Sequence, residues 1–138
     1  MLKDEYPLWA TDTIRYADTD ALGHVNNAVF STFLETGRTH FLLHPDRPLR
    51  HPGTIFVIAR LVLDFKAEIQ WPGEAHIGTR CKSIGRSSFV LEQVVIQNDA
   101  VCAIAETVMV MLDETTRKST PLPDMAVARL KALQTVTP

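Results

Sequence analysis

Between Asn26 and about His44, and in few other places, the apolar residues of this chain return at helical spacing: Val29, Phe30, Phe33, Leu34, Gly37, Phe41 and Leu42. The arc they cover is wide, so this helix must be buried over much of its surface. It would be the longest element of the chain. Asn26 or Asn27 stands where a side chain caps the first free backbone N–H groups. Whatever the fold, it has to supply a surface that covers this one helix.

The remaining residues read mostly as strands. Trp9 to Tyr16 alternates loosely and carries Thr, Ile and Tyr. ADTDALGHVNN follows, loop chemistry leading into the helix start. His44 to Gly53, with Pro45, Pro48 and Pro52, is a loop. Thr54 to Ile69 has Ile55, Val57, Ala59, Leu61, Leu63 and Phe65 on one face, while its other face ends with Arg60, Asp64 and Lys66. Trp71 to Glu74 is a turn, Ala75 to Ile84 a strand, and IGRS a second turn. Ser88 to Gln97 is a strand, Asn98-Asp99 a tight hairpin turn, and Ala100 to Leu112 a long strand alternating Cys102, Ile104, Val108, Val110 and Leu112 with smaller residues. Pro121-Leu122-Pro123-Asp124 opens a short amphipathic helix ending near Leu133.

This order, a strand, a long helix and four antiparallel strands, places the chain in the α+β class. Short connections favour hairpin neighbours among the last four strands. An apolar helix must bury itself against a sheet face, so the economical architecture is a curved antiparallel sheet of about five strands wrapped around a central helix. One such layer leaves a face or an edge for another subunit to cover. A homo-oligomer, dimer or tetramer, is therefore expected.

Composition narrows the function. The 138 residues, 46% hydrophobic and 22% charged, suit one globular domain spanning 1–138. A net charge of −2 lacks the basic excess of a nucleic-acid binder. Cys81 and Cys102 lie in apolar, strand-like runs and read as reduced and buried. The start, MLKDEYPLWA, does not resemble a secretory signal, and no apolar run approaches the ~20 residues of a membrane span. A cytoplasmic protein is expected. The five histidines show no paired ligand spacing, so no metal is expected; no other cofactor is expected either.

The chemistry concentrates in Arg15-Tyr16-Ala17-Asp18-Thr19-Asp20-Ala21-Leu22-Gly23-His24-Val25-Asn26-Asn27. Two carboxylates, a glycine and a histidine lie between a strand end and a buried helix start. A helix N-terminus presents unsatisfied N–H groups and partial positive charge, which suits a carbonyl oxygen that becomes an oxyanion. A carboxylate a few residues ahead of the cap reaches the same region, as nucleophile or as general base for water. The same residue types are also ordinary caps and turns.

RYADTDALGHVNNAVFSTFLE resembles the signature of the 4-hydroxybenzoyl-CoA thioesterase-like branch of the hotdog superfamily. Arg60 and Asp64, GRSSF (Gly85 to Phe89) and LDETTRKSTPLP fit the same family. The resemblance implies a helix wrapped by an antiparallel sheet and an acyl-CoA thioesterase. It implies Asp20 as the catalytic carboxylate, the backbone N–H near Asn27 as the group polarising the thioester carbonyl, and Asp18 as a loop-structure acid. Nucleophilic and general-base roles for Asp20 both remain open. His24 is read as orienting or capping before catalytic, and Glu35 as structural or interfacial. GRSS resembles a turn that meets the pantetheine or nucleotide part of coenzyme A, with Arg86 for a phosphate and Ser87 or Ser88 as donors; it equally fits a plain hairpin turn. Arg60 is a further cation for the polyanionic substrate. The alternative function is a non-catalytic module that binds acyl-CoA or an acyl carrier protein. A hotdog dehydratase is a third reading, without its His and acid arrangement here.

Overall fold

The computed structural model describes residues 2–134. A short helix, α1 (Leu2–Glu5), precedes β1 (Leu8–Ile14); a 3-10 turn (Tyr16–Asp18) and a loop lead to α2 (Asn27–Leu42). Then come β2 (Thr54–Phe65), β3 (Gly73–Ile84), β4 (Ser88–Gln97), β5 (Ala100–Asp113) and α3 (Asp124–Lys131). The class is α+β, and the sheet is five-stranded and antiparallel. None of the described helices is long and apolar enough to cross a membrane.

The strand order is β1-β3-β4-β5-β2, which corrects one expectation. Hairpin neighbours hold for β3–β4 and β4–β5, whose connections are short; Asn98 and Asp99 take φ of 50° and 63°, the left-handed turn that follows the sheet twist. They do not hold for β2 and β3. The seven residues 66–72 between them are too long to act as a tight turn, and β2 instead pairs with β5 at the far edge while β1 takes the free side of β3.

A second correction concerns the faces. The β2–β5 register shifts between Ile58 and Arg60, and a bulge reverses the alternation beyond it. Phe56 and Ile58 therefore share the helix side with Leu61, Leu63 and Phe65, opposite Met111, Met109, Thr107, Ala105 and Ala103. On β5 the small residues Ala103 and Ala105 are buried toward the helix, whereas Ile104, Val108 and Val110 face away, half-buried or exposed. Small side chains under the helix let it approach closely.

Polar contacts fix α2 on the sheet. The Gln93 Nε2 donates to the Leu34 carbonyl at 2.9 Å and to Thr79 Oγ1 at 3.0 Å, and Thr79 Oγ1 donates to the Gly37 carbonyl at 3.2 Å. At Gly37 a Cβ would collide with the Ile77 side chain and meet Gln93 Nε2 at 2.9 Å, so glycine is needed where helix and sheet touch. The first half of α2 packs Phe30, Phe33 and Leu34 with Ile14, Val25, Ile69, Ile77 and Ala105. Its last turn, through Leu42, joins Leu49, Phe89, Met111 and Leu130 of α3. Each such side chain contributes about 1.5–3 kcal/mol by leaving water. Both cysteines are buried and free; burial pushes the Cys81 thiol up to about 11 and raises that of Cys102.

Candidate active site

The loop after β1 folds as a small hairpin. Thr19 pairs with Val25 as an isolated bridge, the Asn26 N–H donates to the Asp18 carbonyl at 2.8 Å, and the Asp20 N–H to the His24 carbonyl at 2.9 Å. Residues Asp20 to Gly23 make the turn, closed by the Gly23 N–H to the Asp20 carbonyl at 3.2 Å; Gly23 has φ +90°, which disfavours any other residue there. The hairpin is anchored to the sheet where the Val25 N–H donates to the Ile69 carbonyl at 2.9 Å and His24 bridges Gln70.

Asp18 is buried and structural. Its carboxylate accepts from the Arg15 backbone N–H at 2.8 Å and from the Arg15 guanidinium at 2.9 Å. Burial by itself would raise its pKa, but the Arg15 hydrogen bonds and charge win and hold it below the ordinary carboxylate value. A folded-state pKa below the unfolded value of about 4 stabilises the fold fully above that pH, and the stabilisation fades as pH falls through the folded value. Hydrogen bonds to a buried charge are worth about 1.5–3 kcal/mol, less here because Arg15 is exposed. Asp18→Asn is expected to melt about 5 °C below the parent protein near neutral pH, and the gap should close as calorimetric scans move toward about pH 3. A gap that does not depend on pH would remove this account of Asp18.

Asp20 is half-buried. Its Oδ1 accepts from the Leu22 N–H at 2.9 Å, which orients the carboxylate within the turn. At the helix start, Asn26 is the cap: its Oδ1 accepts from the Ala28 N–H at 3.0 Å, and its carbonyl from the Val29 N–H at 2.9 Å. Among the described residues the Asn27 N–H has no hydrogen-bond partner. It is a donor at the positive end of a 16-residue helix, and the same short hairpin joins it to Asp20.

His24 turns its ring to Glu68, Nε2 to Oε2 at 3.2 Å. Glu68 belongs to no sequence motif, and its role became visible only through this contact. Trp71 opens the segment expected as a turn; its ring stands edge-on to that of Tyr16, centroids 5.1 Å apart, and both rings are exposed beside the loop. Phe65 packs edge-on to Phe30 at 5.1 Å and remains half-exposed.

The structure does not bring the remaining candidates to this loop within one chain. Arg60 lies mid-strand on β2, exposed on the face away from the helix. Arg86, Ser87 and Ser88 form the β3–β4 turn, where the Arg86 carbonyl accepts from the Leu122 N–H and the Ser87 carbonyl from the Met111 N–H. The hairpin of Asp20 sits at the Gly73 end of β3, and this turn at the Ile84 end. At ~3.3 Å per residue the two are on the order of 35 Å apart. A cavity of about 400 Å³ lined by His44, Pro48, Arg50, His51 and Glu114 also lies at the far end, past the C-terminus of α2. Among the described residues no three His, Cys, Asp or Glu side chains gather as metal ligands would.

The chain is similar to known proteins over most of its length. Residues 14–130 match the model of the thioesterase-like superfamily. The acyl-CoA thioester hydrolase YbgC of Escherichia coli is 28% identical over 122 residues, covering 86% of this chain and 91% of the relative. A Thermus thermophilus thioesterase, solved with coenzyme A and Zn, is 32% identical and superposes with a TM-score of 0.82, covering 98% of this chain and 99% of that one. The DHNA-CoA thioesterase of Staphylococcus aureus, at 20% identity, 91% coverage of both chains and a TM-score of 0.80, shares the fold. With its five-stranded antiparallel sheet and long packed helix, the chain belongs to the thioesterase-like superfamily of the hotdog fold and is by class a thioester hydrolase.

Proposed function

We propose that the protein hydrolyses an acyl-CoA, using water to give the free acid and coenzyme A thiol, with Asp20 as the reacting carboxylate and the Asn27 N–H as oxyanion donor. The observation that carries this reading is the pairing of a half-buried, oriented carboxylate with an unpartnered N–H at a helix start on the same hairpin. A thioester carbonyl lying between them gains stabilisation of its developing negative charge from the N–H and the helix. Asp20 either attacks that carbonyl, giving an anhydride that water opens, or takes a proton from the attacking water. His24, turned toward Glu68, orients the loop. Coenzyme A as the leaving group is supported by the YbgC relative and by the Thermus structure that holds it. The reaction as written uses no cofactor.

The anion-binding candidates enter through a second copy. Strand β2 is an edge strand of 12 residues with exposed Ile58, Leu61, Val62 and Phe65. Such an edge is an open template for another strand. Two copies pairing β2 antiparallel about a two-fold axis reverse the strand directions, so that the Arg86-Ser87-Ser88 turn of one comes to the end where Asp20 of the other lies. Arg60 lies along that seam. In this arrangement Arg86 or Arg60 pairs with the phosphates of coenzyme A while Asp20 meets the thioester.

One observation favours a second reading, a module that binds acyl thioesters without cleaving them: the Leu22 N–H bond already gives Asp20 a structural purpose. A panel of short, medium and aromatic acyl-CoAs, with thiol release followed by a thiol reagent, separates the two. Release with at least one member of the panel is expected. Tight binding without release across the panel would replace the hydrolase with the binder.

A further inference from the structure

We infer that Gln97, at the end of β4 and outside the motif that carries the chemistry, is a positioning residue for Asp20. The inference rests on the reading of Asp20 as the reacting carboxylate. Gln97 is 5% exposed. Its side-chain amide makes both bonds that a neighbouring strand would make to Gln70: Oε1 accepts the Gln70 N–H at 2.8 Å, and Nε2 donates to the Gln70 carbonyl at 2.8 Å. Gln70 lies in the irregular connection 66–72, which has no ladder of its own. That connection is what the hairpin rests on. Gln70 bridges His24, the adjacent Ile69 carbonyl takes the Val25 N–H at 2.9 Å, and the His24 carbonyl takes the Asp20 N–H at 2.9 Å. From Gln97 to the backbone of Asp20, short hydrogen bonds at Gln70, Val25 and Asp20 are thus linked through the adjoining peptide units Ile69–Gln70 and His24–Val25.

The far end of the run is rigid. Gln97 pairs with Ala100 across the two-residue turn Asn98-Asp99, so its Cα is fixed by the hairpin. The space around its amide is also shaped for it. Gly73 has φ +149°, and a Cβ there would meet Gln97 Nε2 at 3.0 Å, so a side chain at position 73 would press on the clamp. A buried side-chain amide saturating both polar groups of one distant residue holds that residue in register. Displacing a reacting group by 1 Å costs on the order of 100-fold in rate, so partial loosening of the hairpin should appear in turnover more than in substrate binding.

The test compares the full chain with Gln97→Leu, which removes both bonds, and Gln97→Glu, which keeps an acceptor for the Gln70 N–H. Turnover on the best acyl-CoA and amide hydrogen exchange by mass spectrometry are measured for each. Expected for Gln97→Leu are a kcat about tenfold lower, a KM within about twofold, and faster exchange across residues 20–25. Gln97→Glu should recover part of both. Should Gln97→Leu fail to fold, Gln97→Asn, one methylene too short to make both bonds, carries the same comparison. Unchanged exchange across 20–25, or an unchanged kcat in an active protein, overturns the inference. If the parent protein releases no thiol from any acyl-CoA, the hydrolase reading fails by itself, and the exchange comparison still decides whether Gln97 holds the loop.

Discussion

Asp20→Asn is expected to lower kcat for thioester hydrolysis by on the order of 10²–10⁴-fold, the usual worth of a positioned acid–base or nucleophilic group. The substitution is informative because of how Asp20 is held. Its Oδ1 accepts from the Leu22 N–H, and the amide oxygen of asparagine can accept the same bond. The turn closed by Gly23 and the bridge to His24 depend on backbone groups, which do not change. The melting temperature should therefore stay within about 2 °C, as for most substitutions that leave packing intact. What is removed is negative charge and basicity. Thiol release from an acyl-CoA, measured beside a thermal melt, separates the chemical role from the structural one. Activity within about threefold of the parent would leave Asp20 as a turn residue and move the reacting group elsewhere in the site.

Val62→Lys is expected to give a monomer with less than about a tenth of the parent activity, since like charges brought together at an interface cost several kcal/mol. Val62 is exposed on the edge strand, opposite Glu106 of β5. A lysine there costs the single chain little and has a carboxylate across the strand pair to face. Across a two-fold β2 seam each copy would add a lysine to the strand pair, on the face that already carries Arg60. Sedimentation of parent and variant reads the oligomeric state, and thiol release reads the site. A fully active monomer would mean that one chain holds a complete site. A variant that remains oligomeric would move the interface elsewhere, with the half-buried and exposed Val57, Val108, Val110 and Ile104 face as the next surface to examine.

Some features were legible in the sequence because they depend on local rules. The span of α2 follows from apolar periodicity and the β4–β5 hairpin from Asn98-Asp99, each within a residue or two of its expected place; the cap was narrowed to Asn26 or Asn27, and the structure uses Asn26. The motif from Arg15 to Asn27 was legible for the same reason. Its turn, cap and carboxylates are consecutive, so their proximity follows from chain connectivity. The loop role of Asp18 is what the family resemblance implies, and its buried bonds to Arg15 agree with it.

Other features depended on partners distant in sequence. The bulge between Ile58 and Arg60 reverses which residues of β2 face the helix, and no residue in that strand announces it, because a bulge is settled by the register against β5. The placement of β2 at the edge, beside β5 and not β3, is a property of the whole sheet, since a seven-residue connection leaves the choice of neighbour to packing. Glu68 beside His24, Trp71 beside Tyr16 and Gln97 clamping Gln70 come from segments that carry no signature of their own. The amino-acid sequence by itself determined the helix, the loop chemistry and the class of fold, because helical period, capping and turn preference act over a few residues. Only the tertiary structure decided which strand lies exposed and which distant side chains hold the reactive loop, because those contacts exist only once the sheet has closed its register around the helix.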